Sequence, residues 1–192
     1  MALFEARQRL WGRLALALGA HARARRCFER LLQRKPDDTH ALATLAFLAG
    51  ASGEHHVAVR YQQRVVLIEP SSAAWYNLGF LLERCGEVVG AEAAFRKALE
   101  LDERFDLAWY GLGLALASQH RTEEAMKAFR ENTARQPFSP HGWEQLARLH
   151  AAQGESEQAS QIVAHLHTFE PKVARHLRAE LGLDCTVVPA AA

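Results

Sequence analysis

Ten histidines and three cysteines are the residues of this sequence that could bind a metal ion. Zinc sites on helices use ligands three or four residues apart, together with a further ligand nearby. His55 and His56 are adjacent, and His165 and His167 are two residues apart, so neither pair points in one direction on a helix. We therefore predict no metal site, and we expect the histidines to be structural or exposed to solvent.

The three cysteines, Cys27, Cys85 and Cys185, lie far apart in the chain and form no Cys-x-x-Cys pair. An odd number of distant cysteines does not suit a disulfide framework and favours a reducing compartment, so we expect a cytoplasmic protein. Cys27 and Cys85 are expected to behave as small buried hydrophobic residues.

Catalytic motifs are absent from the sequence: it contains no nucleophile motif, no phosphate-binding loop and no paired acids. Gly111-x-Gly113 is placed within a predicted helix, not at a turn from a strand to a helix. The sequence therefore predicts a protein that is not an enzyme, with no catalytic residues and no cofactor.

The composition narrows the class of protein further. Of the 192 residues 49% are hydrophobic, and 23 basic residues face 22 acidic ones, giving a formal net charge of +1. This profile is typical of a folded chain and does not suit a nucleic-acid binder, which usually carries a large positive excess. The longest stretch without a charged residue, 39–53, is shorter than the roughly 20 residues needed for a transmembrane segment.

An internal repeat organises the chain. Trp75, Trp109 and Trp143 follow one another at intervals of 34 residues. Leu follows each Trp after three residues, Gly or Ala after four, and Ala after sixteen. Four residues beyond that Ala stands Phe95, Phe129 or Val163. Two weaker copies lie upstream. The repeat boundaries are 5–38, 39–71, 72–105, 106–139 and 140–173.

Each repeat is predicted to form two amphipathic helices. In the third repeat apolar residues follow helical spacing from Trp75 to Leu82, stop near Gly86, and resume at Ala91. The small residue after each Trp-x-x-Leu is expected to let the second helix approach closely, beside a large Phe. No segment shows the alternation typical of a strand, so the predicted fold class is all-α.

This pattern resembles the tetratricopeptide repeat (TPR) family, in which Trp-x2-Leu-Gly-x2-Tyr, Ala-x3-Phe and Pro recur in a 34-residue unit. The resemblance implies a right-handed α-solenoid of helix-turn-helix units, with five repeats and a C-terminal capping helix at 174–183. We expect residues 1–183 to form a single TPR domain and 184–192 a flexible tail. Departures from the family pattern are Leu82, Leu116 and His150 at the Tyr position and Gln62 and Val163 at the Phe position. Apart from Gln62, they are conservative, and we expect them to alter local packing only.

The N-terminus imitates a signal peptide, because three arginines precede an apolar run at residues 14–20. Trp11 and Gly12 nevertheless occupy the places that the first repeat requires. Cleavage near Ala22 would remove the first helix, so we expect no cleavage there.

The resemblance also implies a function. First helices of TPR units line a concave groove, and we expect a non-catalytic adaptor or scaffold that binds a peptide or an amphipathic helix of another protein there. Helices 39–51 and 107–119 carry no charge, which fits either an apolar groove or simple packing between first helices. The candidate groove residues are Phe47, Tyr76, Asn77, Phe80, Glu83, Tyr110, Leu114, Glu144 and Arg148.

The partner in the groove is expected to present an apolar anchor with weak charge matching. In some TPR domains Lys, Asn and Arg side chains clamp the C-terminal carboxylate of a chaperone. Here Asn77 fits one clamp position, but Leu107 and Gly111 stand where the basic residues should be, so this class of partner is disfavoured.

Several alternatives stay open at this point. A specialised chaperone or assembly factor of a secretion or envelope machine is one, and a self-associating structural scaffold, hence a homo-oligomer, is another. RNA-reading helical repeats fit less well, because the period is 34 and the charge is balanced. Helix 20–35 is either a solvated face or a docking patch for an acidic protein or a membrane surface, and its candidate patch residues are Arg23, Arg26, Arg30 and Arg34.

Overall fold

The computed structural model describes residues 2–183, and within that range it contains eleven α-helices and no strand. They are α1 Ala2–Ala17, α2 His21–Arg34, α3 Thr39–Ala51, α4 His55–Ile68, α5 Ser72–Arg84, α6 Val88–Leu101, α7 Asp106–Ser118, α8 Thr122–Arg135, α9 Pro140–Ala152, α10 Ser156–His167 and α11 Pro171–Glu180. None of these helices is both long and apolar enough to cross a bilayer. The predicted tail, 184–192, and Cys185 lie outside the described residues.

The helices form two compact units, one up to Glu103 and one from Arg104. In the first unit each of α1 to α5 packs against the helix that follows it in the chain, and in the second unit α7 to α10 do the same. Each repeat thus contributes one helix pair. The capping helix predicted at 174–183 overlaps α11, which begins and ends three residues earlier, at Pro171 and Glu180, because proline is favoured at the first position of a helix.

Close approach of paired helices depends on glycine, as the repeat pattern predicts. A Cβ atom added to Gly113 would lie 2.5 Å from a ring carbon of Phe129, and one added to Gly79 would lie 2.7 Å from a ring carbon of Phe95. Both phenylalanines are fully buried. The ring therefore occupies the space that a side chain at the glycine would need, and this contact fixes the pairing of the two helices.

Two departures from the family pattern have local explanations. Gln62 is buried at the Phe position, where its Nε2 donates a hydrogen bond to the carbonyl oxygen of Ala74 at 2.9 Å. His150 is buried at the Tyr position, and its ring nitrogen contacts the carboxylate of Glu155. Both polar groups are satisfied, so they alter local packing without changing the fold.

The cysteines differ from the prediction. Cys27 and Cys85 are free thiols, but both are only partly buried, so the expectation that they fill the core is wrong. Cys85 ends α5 at the inter-helix turn, where a side chain has fewer neighbours than in the middle of a helix pair.

Asp38 connects the first repeat to the second. It is the N-cap of α3, where its carboxylate accepts a hydrogen bond from the backbone N–H of Ala41 at 3.0 Å. Burial alone raises the pKa of Asp38, but the guanidinium of Arg9, the Ala41 N–H and the Lys35 ammonium outweigh it and hold the pKa below its ordinary value.

We predict that the ionic contribution of Asp38 to stability is present only while its carboxyl is ionised. Because its folded pKa is lowered, that contribution is present above the ordinary aspartate pKa and is lost as the pH falls through the folded value. Asp38→Ala, which also removes the cap, should lower the free energy of unfolding by about 1–2 kcal/mol at pH 7. Asp38→Asn keeps the cap and should show a flatter stability profile in acid. Urea unfolding at pH 7 and at pH 3 measures both effects, and equal pH profiles for wild type and Asp38→Asn would contradict them.

Candidate functional site

A cavity of about 530 Å³ lies in the first unit between α3 and α5, the first helices of repeats two and three, with α4 behind it. We call it the α3–α5 cavity. Its volume falls in the range of ligand-binding pockets, about 300–1,000 Å³. Its lining residues are Ala43, Ala46, Phe47, Gly50, Ala51, His55, Gln62, Asn77, Phe80, Leu81 and Arg84.

Residue size along α3 explains why the space is open. Ala43, Ala46 and Gly50 present almost no side chain toward α5, and a Cβ atom at Gly50 would already lie 3.3 Å from Leu81. The two phenylalanines of the cavity cannot fill this space themselves, since Phe47 is 66% exposed and Phe80 is 48% exposed. Two large apolar rings are thus left in water beside an open cavity. An apolar group that covered them would lower the free energy, because apolar surface would be removed from water.

Polar groups lie among these apolar walls. The Nδ1 atom of His55 is buried and has no hydrogen-bond partner among the described residues. Asn77 and Arg84, on α5, are exposed and add an amide and a positive charge. Asn77 and Arg84 are therefore the exposed polar groups that an occupant of the cavity could contact.

The structure brings three of the predicted groove residues together, because Phe47, Asn77 and Phe80 all line the α3–α5 cavity. Tyr76 and Glu83 share helix α5 but are partly buried. The Tyr76 ring packs against Phe95, with 5.8 Å between the ring centroids. Burial raises the pKa of the Glu83 carboxyl, an effect that the neighbouring Arg84 opposes.

The predicted residues of the second unit are engaged within that unit. The Tyr110 ring lies 5.8 Å from the ring of Phe129 and 6.1 Å from that of His141, measured between centroids. Leu114 is partly buried. The guanidinium of Arg148 contacts two carboxylates, Glu144 at 3.2 Å and Glu180 at 2.8 Å.

This pairing affects what Arg148 can do. The hydrogen bonds that Arg148 donates to Glu180 are the largest cause of its raised pKa, and the Glu144 charge adds to it. A guanidinium that already contacts two carboxylates is a poor receptor for a further anion.

The predicted basic patch borders a smaller cavity, of about 290 Å³, also in the first unit. Arg23, Arg26 and Arg30 lie on one side of it, while the guanidinium of Arg34 stands 5.3 Å above the ring of Phe4. The other side is an apolar surface formed by α1 and the turn after it, which the sequence prediction missed and which we call the apolar surface of α1. Its exposed side chains Trp11, Leu14 and Leu18 line the cavity.

Four residues of the α3–α5 cavity have roles that sequence reasoning did not anticipate: His55, Gln62, Leu81 and Arg84. The resemblance directed attention to first helices, whereas His55 and Gln62 belong to a second helix. A possible signal was Gln62 itself, since a polar residue at the Phe position indicates a local change in packing.

Comparisons with known proteins agree with the helical repeat fold. The family model described as "Cilia and flagella-associated protein 70 middle TPR-like domain" matches residues 42–170. No curated protein matches the sequence. Solved structures match over most of the chain, and their low identities make this a likeness of fold alone.

Three solved structures illustrate this likeness. The MamA protein is 20% identical, with a TM-score of 0.83, and the match covers 92% of this chain and 97% of MamA. YrrB, described as a TPR protein with an unusual peptide-binding site, is 18% identical, with a TM-score of 0.76 and 88% of each chain covered. PilW, described as a type IV pilus biogenesis factor, is 19% identical, with a TM-score of 0.76 and coverages of 92% and 82%. The predicted all-α repeat fold is confirmed.

Proposed function

We propose that this chain, which belongs to the family of TPR-like domains whose model matches residues 42–170, is a non-catalytic scaffold that binds a segment of another protein in the α3–α5 cavity. Repeat proteins of this kind act as scaffolds for protein–protein interaction. The observation that carries the proposal is the open cavity bordered by two exposed phenylalanines, Phe47 and Phe80.

The chemistry of the cavity limits the kind of protein segment that can bind in it. A large apolar side chain would cover both rings and displace water from the alanine and glycine surface of α3. An acidic group of the occupant could pair with Arg84, which is exposed and lines the cavity. We therefore infer a peptide or amphipathic helix with one apolar anchor and at most a modest negative charge beside it.

Two other roles have specific support. Self-association is favoured by the apolar surface of α1, where Leu18 is 74% exposed and Trp11 56%. An assembly-factor role is favoured by the fold shared with PilW, a pilus biogenesis factor. Sedimentation over a concentration series separates self-association from partner binding.

The free thiols Cys27 and Cys85 fit a reducing, cytoplasmic location, which we also propose.

Selection from a random peptide-display library tests the main proposal. Wild-type protein serves as bait, and the double variant Phe47→Asp/Phe80→Asp serves as the matched control, because both side chains are exposed and the fold should tolerate the change. We expect the selected peptides to share one large apolar residue and to bind wild type at least about tenfold more tightly than the variant. Selected peptides that bind both proteins equally would refute binding at this cavity.

A further inference from the structure

Three side chains with metal-binding atoms meet in the first unit, next to the α3–α5 cavity. His56, Cys85 and Glu87 come from the first turn of α4, the C-cap of α5 and the N-cap of α6. One ligand atom from each, a ring nitrogen, the thiol sulfur and a carboxylate oxygen, lies within 4.8 Å of the other two. The sequence prediction excluded a metal site because it considered spacing within one helix, whereas these ligands belong to three helices.

We propose that His56, Cys85 and Glu87 form a zinc-binding site. Zinc takes nitrogen, thiolate sulfur and carboxylate oxygen at about 2.0–2.3 Å, which places neighbouring ligand atoms roughly 3.3–3.8 Å apart. The His56 Nδ1 and Glu87 Oε1 atoms are 3.9 Å apart, close to this spacing. Three protein ligands leave the fourth tetrahedral position for water.

The backbone holds two of the ligands in place. Gly86, with φ of 78°, lets the chain turn sharply between Cys85 and Glu87. The N–H of Glu87 donates to the carbonyl oxygen of Leu82 at 2.9 Å, and the N–H of Gly86 donates to that of Glu83 at 2.9 Å. A turn fixed in this way reduces the conformational entropy that the ligands lose when they bind an ion.

The corresponding glutamate of the preceding repeat shows a different arrangement. Glu54 is the N-cap of α4, as Glu87 is of α6, and it is held by the guanidinium of Arg25 at 2.5 Å. Near Glu87 the facing residue is His56, at 3.9 Å, which is too far for a hydrogen bond. A cation between the two would supply the positive charge that Arg25 supplies to Glu54.

Cys85 makes the choice of metal specific. Zinc binding displaces the proton of the Cys85 thiol, which passes to solvent, and the thiolate then bonds to the ion. A hard cation such as Mg²⁺ or Ca²⁺ has no comparable preference for sulfur.

The position of the site suggests what zinc would do. His56 and Cys85 are the sequence neighbours of His55 and Arg84, which line the α3–α5 cavity. Bound zinc would fix the start of α4 relative to the end of α5 and so hold this part of the cavity wall in one geometry. This consequence rests on the proposed function, whereas zinc binding itself does not.

The test measures zinc binding by competition with a chromophoric chelator. The background is Cys27→Ser/Cys185→Ser, which leaves Cys85 as the only thiol in the sequence. We expect binding of one equivalent, and each of Cys85→Ser, His56→Ala and Glu87→Gln should weaken it by about tenfold or more. His21→Ala, at an exposed histidine of the same unit, is the matched control and should leave the affinity unchanged.

Cobalt substitution provides an independent readout. Co²⁺ in the site should show thiolate-to-metal charge-transfer absorption that disappears in Cys85→Ser. Zinc should also raise the melting temperature of the background protein and not that of Cys85→Ser. Zinc affinity that is equal in Cys85→Ser and its background, or cobalt binding without charge-transfer absorption, would show an adventitious ion only and overturn the proposal. A zinc site without peptide binding would refute the proposed function alone.

Discussion

Replacing Phe129 by alanine is expected to lower the free energy of unfolding by about 3–5 kcal/mol. The ring is fully buried, and it packs directly against the backbone at Gly113, which has no side chain that could move into the space. The cavity would therefore stay open, and the contact that pairs α7 with α8 would be lost. Urea or guanidinium unfolding followed by circular dichroism measures the effect.

Phe138→Ala is the matched control, because that ring is 76% exposed. It contacts Phe169 edge-on at 5.9 Å, so its loss should cost less than about 1.5 kcal/mol. Similar losses for Phe129→Ala and Phe138→Ala would show that the Gly113–Phe129 contact does not hold the helix pair together.

The same contact predicts a coupling between its two residues. Gly113→Ala alone should destabilise the protein by about 1–3 kcal/mol, because the new methyl group overlaps the Phe129 ring. In Gly113→Ala/Phe129→Ala the methyl group enters space that the ring has left. The double variant should therefore be more stable than the sum of the single losses implies, and strict additivity would count against direct contact.

Truncation of the cavity phenylalanines is expected to have the largest effect on binding. Phe47→Ala and Phe80→Ala should each weaken the binding of a peptide selected against wild type by about 2 kcal/mol, which is roughly 30-fold. Both rings are exposed, so their removal costs the folded protein little and the loss falls on the complex. Titration calorimetry with a selected peptide measures both the affinity and the stoichiometry.

Controls separate this effect from general weakening. Leu67 is 81% exposed in the same unit and does not line the cavity, so Leu67→Ala should leave the affinity unchanged. Tyr76→Ala should lower the stability of the folded protein, because the Tyr76 ring packs against Phe95. If Leu67→Ala weakens binding as much as Phe80→Ala does, the peptide does not occupy the α3–α5 cavity.

Much of the fold followed from the sequence because the repeat reports the same contact several times. Trp75, Trp109 and Trp143 set the period, and the glycine four residues after each of the first two marks where a buried phenylalanine of the second helix must fit. The helix bounds also followed closely, with helix 39–51 found as predicted. These features depend on local spacing, which a single sequence contains.

Less of the candidate site than of the fold could be predicted from the sequence. Phe47, Asn77 and Phe80 were predicted as groove residues and do meet at one cavity, although partner binding there is a proposal. Arg148 was expected on the same grounds, yet it contacts Glu180 of α11, a residue far along the chain that no repeat pattern identifies. Cys85 was expected in the core and is partly exposed beside His56 and Glu87.

The sequence by itself determined the helical secondary structure and the paired helices, because helical periodicity and glycine–phenylalanine spacing are properties of neighbouring residues. Only the tertiary structure decided which apolar and titratable groups remain accessible. Exposure depends on the helices packed around a residue and not on its own type, so Phe47 is exposed while Phe95 is buried. The small residues of α3 leave the α3–α5 cavity open beside Phe47, and the packing of α4, α5 and α6 brings together the residues of the proposed zinc site.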